Sequence, residues 1–106
     1  MSRPRPKRPE ECNSIEEIRR EIDRIDQSIV QALGERAAYV HRIVAFKRSV
    51  QDVHAQERQQ AMWADRRRWA QEQGLDPDMV EALFRGVVAH FVEKELGMLT
   101  DRDASP

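Results

Sequence analysis

The chain has 106 residues, 40% hydrophobic and 35% charged, and its 18 lysines and arginines against 19 aspartates and glutamates leave a net charge of -1, with no overall pull toward nucleic acid or an anionic membrane. No apolar run reaches the roughly 18 residues that span a bilayer, and no apolar segment follows the basic N-terminus to make a signal peptide. Cys12 is the single cysteine, which excludes an internal disulfide and a CxxC-type metal site, and His41, His54 and His90 have no mutual spacing that suggests metal ligands.

These observations predict one soluble, helix-rich, cytoplasmic domain that needs no metal and no cofactor. Taken from the N-terminus, residues 1–10 carry Arg3, Arg5, Lys7 and Arg8 among prolines and read as a disordered, solvated basic tail. The folded domain is expected over residues 11–99. Ser14 followed by Glu17 is a capping-box pattern. Behind it Ile15, Ile18, Ile22, Ile25, Ile29, Leu33, Ala37, Val40 and Val44 recur at steps of three and four. The spacing predicts one long helix over 15–49, in which Gly34 costs about 1 kcal/mol relative to alanine and is tolerated.

A second helix is expected over 55–73, ended by Gly74 where a left-handed residue terminates helices. Leu75-Asp76-Pro77 then restarts the chain, with Asp76 as N-cap and Pro77 at the first helical position. The third helix carries Val80, Leu83, Phe84, Val87, Val88, Phe91 and Val92 and is expected to fade near Gly97, leaving 100–106 as a frayed polar end. The fold class is therefore all-α, three helices with one long N-terminal member. A helix of 35 residues is roughly 52 Å long, against a radius of gyration of about 13 Å for a compact domain of this size. Two shorter helices cannot cover so long an apolar stripe, which predicts a homodimer in which long helices from two subunits bury each other.

Two cations on the long helix stand out. Arg36 and Lys47 are eleven residues apart, so on a continuous helix they point to nearly the same side, roughly 16 Å apart along the axis. Leaning together, they suit a small dianion with a carboxylate near each end, the arginine fork binding in bidentate fashion. Late in the third helix, Glu95 lies seven residues after Val88 and eleven after Phe84, which puts a carboxylate in line with apolar residues. Either the helix has emerged into solvent by that point or an acid stands at the wall of a pocket.

The run EIRREIDRIDQSIVQALGER from Glu17 to Arg36 resembles the first helix of the all-helical chorismate mutase family, as do Tyr39-Val40 and Ala45-Phe46-Lys47. The likeness continues through Glu57-Arg58, Arg68-Trp69-Ala70, Gly74-Leu75-Asp76 and the stretch from Val80 to Phe84, covering residues 11–96. Within the family the chain is most similar to the isochorismate-pyruvate lyases of salicylate formation, whose loop has the length of Lys47 to Glu57 here. The ordinary bacterial mutases place an arginine where this chain has Gln56 and an aspartate where it has Val53. The lyases also lack that arginine.

The resemblance implies an intertwined homodimer with two cationic pockets for a small dicarboxylate, chorismate or isochorismate. Carried over by position, Arg36 binds one substrate carboxylate, and Lys47 binds a carboxylate and the ether oxygen. Arg19 reaches the other carboxylate from the partner chain, and Glu57 helps hold the substrate hydroxyl region. The helix length requires the crossing independently, since Arg19 is 28 residues from Lys47, roughly 42 Å along one straight helix. Glu95 falls where the family commonly has glutamine, the donor to the ether oxygen, and where some mutases have glutamate. A carboxylate only accepts and a carboxylic acid donates, so Glu95 is expected to act protonated, favoured in that form by an apolar wall and opposed by the Lys47 ammonium.

The reaction implied first is the rearrangement of chorismate to prephenate, with the isochorismate-pyruvate lyase reaction as the alternative and mutases of amino-substituted chorismates as a smaller share. Neither main reaction needs a nucleophile or a metal. The pocket must hold one conformer and aim fixed donors at the oxygen that gains charge. From other classes come a noncatalytic helical dimer or regulatory module, against which the joint presence of Arg19, Arg36 and Lys47 argues, and a nucleic-acid binder resting on the basic tail and on Arg66-Arg67-Arg68.

Overall fold

The computed structural model describes residues 5–104 and holds helices but no strand among them. In chain order the α-helices are α1 (Ile15–Ile43), α2 (Val50–His54), α3 (Gln56–Glu72) and α4 (Pro77–Ala104), with 3-10 turns at Pro9–Glu11 and Val44–Phe46. Three long helices and a one-turn helix thus make up an all-α chain. It divides into two compact units, one up to Ala37 and one from Ala38 onward.

In the first unit, α1 starts as its sequence dictates. The Glu17 amide donates to Ser14 Oγ at 3.1 Å, and the Glu17 carboxylate accepts from the Asn13 amide at 3.0 Å, so two amides without helical partners are satisfied reciprocally. The Asn13 amide, with the Lys7 ammonium at 3.0 Å, holds the Glu17 carboxyl below the usual glutamate range. The basic segment expected to be a solvated tail is exposed over residues 5–10, and both Arg5 and Arg8 pair with Glu11 at its end. Residues 1–4 lie outside the described residues. Along α1, Ile15, Ile18, Ile22, Ile25 and Ile29 are 44 to 61% exposed, a continuous apolar stripe in contact with water.

In the second unit, α3 and α4 pack against each other across a turn set by local chemistry. Gly74 adopts φ +71, its amide donates to Gln71 O, and the Leu75 amide donates to Ala70 O at 2.8 Å, the double closure of a Schellman motif. Asp76 Oδ1 then accepts from the Asp78 amide at 2.9 Å, with Pro77 in the first helical position. Arg67 spans the turn to Asp78 and Glu81, and Arg66 lies about equally near the Trp69 and Phe84 rings, at 5.0 and 5.1 Å. Val44, Val53, Met62, Ala70, Val88 and Leu99 form the buried apolar set.

Two helix ends differ from expectation. α1 stops at Ile43 instead of continuing to 49. Val44–Phe46 tightens into a 3-10 turn, Lys47 is extended at φ -86 and ψ 136, and Ser49 caps a new helix by accepting from the Asp52 amide at 3.1 Å. A local N-cap and the burial of Val44 and Val53 override the apolar periodicity that runs through this stretch. α4, in turn, does not fade at Gly97 but reaches Ala104, because Leu99 is 5% exposed and Arg102 donates to two backbone carbonyls of the segment after α1. Residues 105 and 106 lie outside the described residues.

Candidate active site

The local chain path places Lys47. Having left the helix, it has its side chain directed into the second unit, where only 15% of it is exposed. Its Nζ donates to Asp52 O at 2.6 Å. Asp52 is itself held at both of its other polar groups, its amide donating to Ser49 Oγ and its carboxylate accepting from the Arg48 amide at 2.8 Å. The one-turn helix α2 is therefore a bracket for the lysine, and the buried Val53 anchors it, α2 packing against α4.

From α4 comes Glu95, the one buried charged residue among the described residues, at 7% exposure. Its Oε2 lies 3.9 Å from Lys47 Nζ. That separation is too long for a hydrogen bond and short enough for a strong coulombic pairing in a site shielded from water. A buried acid beside a buried ammonium is held in place only by such a neighbour, since removing one partner of a buried pair costs about 3 to 5 kcal/mol. The first of the two alternatives raised for Glu95, emergence into solvent, is thereby excluded.

The remaining candidate residues are placed separately. Arg36 is half-buried on α1 and Arg19 is exposed on the same helix. Their separation of seventeen residues is about 25 Å at 1.5 Å per residue, too far for one small ligand to touch both within one α1. Glu57 is exposed in the first turn of α3. Because α1 ends at Ile43, the helical offset of eleven residues between Arg36 and Lys47 does not apply, and the expectation that the two share one helix face is corrected. Val53, at 3% exposure, packs into the apolar core.

Sequence reasoning passed over Asp52 and Arg102. The Ser49 to Asp52 spacing is a capping pattern and carries a readable signal for the first. Arg102 has none, lying in a polar stretch 55 residues from the lysine whose carbonyl it holds. Among the described residues no group of three or more His, Cys, Asp or Glu side chains is placed to hold a metal ion, and no helix is long and apolar enough to cross a membrane.

Comparison with known proteins bears on this geometry. Residues 18–96 match the family model described as chorismate mutase type II. Over 90 residues the chain is 44% identical to the isochorismate pyruvate lyase of Pseudomonas aeruginosa, an alignment that covers 85% of this chain and 89% of that protein.

Proposed function

The chain belongs to the chorismate mutase type II family, which makes it a chorismate-mutase-like pericyclic enzyme, and from that premise we propose that its reaction is the isochorismate pyruvate lyase reaction. The observation that carries the finer assignment is the 44% identity, spread over 85% of the chain, with a relative named for that activity. The buried Val53 supports it, because an apolar core residue replaces the aspartate of the ordinary bacterial mutases in the segment that holds Lys47.

In this reaction the ether C–O bond of isochorismate breaks while the ring hydrogen on the neighbouring carbon moves to the enolpyruvyl methylene. The ring becomes aromatic as salicylate, and the side chain leaves as pyruvate. No atom is gained or lost, and no external acid or base is consumed. Negative charge grows on the ether oxygen in the transition state, so a donor already fixed there lowers the barrier, typically by about 3 to 4 kcal/mol. Lys47 has that role. Its ammonium is held by Asp52 O on one side and faces Glu95 on the other, so little reorganisation is needed when substrate arrives.

Arg36 binds a substrate carboxylate, and Arg19 of a second copy of the chain binds the other. The homodimer this requires is supported by the exposed isoleucines of α1, which a second α1 would cover. Glu57 borders the substrate hydroxyls. Glu95, paired with the Lys47 ammonium before substrate binds, takes up a proton as the dianionic substrate engages Lys47, and in that acid form donates to the oxygen that gains charge.

One observation favours a second reading, chorismate mutase, since Glu95 stands where some mutases have glutamate. Incubating the protein separately with isochorismate and with chorismate decides between them. Salicylate and pyruvate from isochorismate are expected. Prephenate from chorismate with no salicylate from isochorismate would make the chain a mutase, and no product from either would leave a noncatalytic helical module.

A further inference from the structure

Glu95, Leu99 and Arg102 fall at positions i, i+4 and i+7 of α4, one stripe of the helix facing one neighbour. Leu99 is buried. Glu95 meets the Lys47 ammonium at 3.9 Å, while two turns further on Arg102 grips the same residue by its main chain, Nη2 donating to Lys47 O at 3.0 Å and Nη1 to Val44 O at 3.2 Å. One face of α4 therefore holds the lysine at both ends.

The two carbonyls that Arg102 binds frame the turn that carries the lysine. Val44 O closes the 3-10 turn by accepting the Lys47 amide at 3.1 Å, and Lys47 O belongs to an extended residue between two helices, outside any helical ladder. A guanidinium presents paired N–H donors in a rigid fork, which suits two carbonyls three residues apart and which a lysine cannot reproduce.

We infer that Arg102 is a positioning residue: its fork fixes the Val44 to Lys47 turn and so sets where the Lys47 ammonium stands against Glu95 and the substrate. The inference deepens the reading above and rests on it. It assigns a role in turnover to a residue near the C-terminal end of α4 that itself touches no substrate.

The test compares wild type with Arg102→Ala and Arg102→Lys. Backbone amide exchange over residues 47–54 is measured without substrate, and kcat and KM are measured on isochorismate and chorismate. With the far-ultraviolet helical signal unchanged, R102A is expected to exchange about tenfold faster over 47–54 than wild type, the effect of losing two charge-assisted hydrogen bonds. Its kcat is expected to fall about tenfold with KM less affected, because the ammonium is misplaced in the transition state rather than removed. R102K should lie between the two, and should remain folded if R102A does not. Millimolar guanidinium should restore part of the R102A rate and leave wild type unchanged. Exchange or kcat within twofold of wild type in both variants would overturn the inference. Failure of the lyase reading is seen separately, as absence of salicylate from wild type, and the comparison is then made on whichever substrate wild type accepts.

Discussion

Lys47 Nζ and Glu95 Oε2 face each other at 3.9 Å across 48 positions of sequence, with 15% and 9% of their side chains exposed. Burying both charges costs desolvation that their attraction offsets only in part, and removing either one leaves the other buried and uncompensated, which costs more. Their pairing joins stability to the proposed catalytic role in one contact.

The first consequence is a non-additive pair. Lys47→Ala is expected to lower kcat by about 100-fold to 1000-fold, the usual loss for one donor aimed at a developing oxyanion. It should also destabilise the fold by about 3 kcal/mol when Glu95 is present and by clearly less in an E95Q background, where the buried group is neutral. Urea unfolding of the two single variants and the double variant measures the coupling. Equal losses in both backgrounds would show that the pair does not interact.

The second concerns pH. If Glu95 donates as an acid, turnover declines as pH rises and the carboxyl ionises, whereas glutamine donates at every pH. The kcat of wild type is therefore expected to fall toward alkaline pH, and that of Glu95→Gln to stay flat through the same range. Superimposable profiles would remove the proposed role.

Acid stability has a separate cause. The Arg85 guanidinium at 2.8 Å, and then that of Arg67 at 3.1 Å, hold the Glu81 carboxyl below its ordinary value of 4.5. A depressed carboxyl pKa contributes stability that is fully present above the unfolded value and is lost as pH falls through the folded one. The thermal midpoint should therefore drop as pH is lowered from about 4.5 through that depressed value. Glu81→Gln should start lower at pH 6 and lose less on acidification. An identical slope in the variant would place the acid sensitivity elsewhere, for example at Glu17, whose carboxyl is lowered by the Asn13 amide.

The proposed crossing of Arg19 between chains is open to complementation. Arg19→Ala and Lys47→Ala should each be nearly inactive alone. In a mixed dimer one site carries both defects and the other neither, so equal mixing after dissociation should recover about a quarter of wild-type activity. No recovery, despite subunit exchange, would mean that each site uses a single chain. Ile25→Glu, in the middle of the exposed stripe, should prevent the proposed dimer from forming, as read by sedimentation at working concentration, and should abolish turnover.

Helix boundaries that depend on neighbours in sequence were set by local residues alone. Ser14 with Glu17 set the start of α1, Gly74 the end of α3, and Asp76-Pro77 the start of α4, because capping groups act within a few residues and work in any surroundings. Helical periodicity likewise settled the all-α class and left α1 with an apolar stripe. The family motifs named Lys47 and Glu95 before any contact between them was visible. The end of α1 at Ile43 and the bracket of α2 combine the local Ser49 cap with the burial of Val44 and Val53, whereas long-range packing alone kept α4 helical to Ala104 and brought the lysine to the acid. These last two outcomes rest on contacts across 48 to 58 residues, Lys47 with Glu95 and Arg102 with Lys47 and Val44. They form only once α2 and α4 pack, and burial then outweighs the modest local preferences of the turn between them.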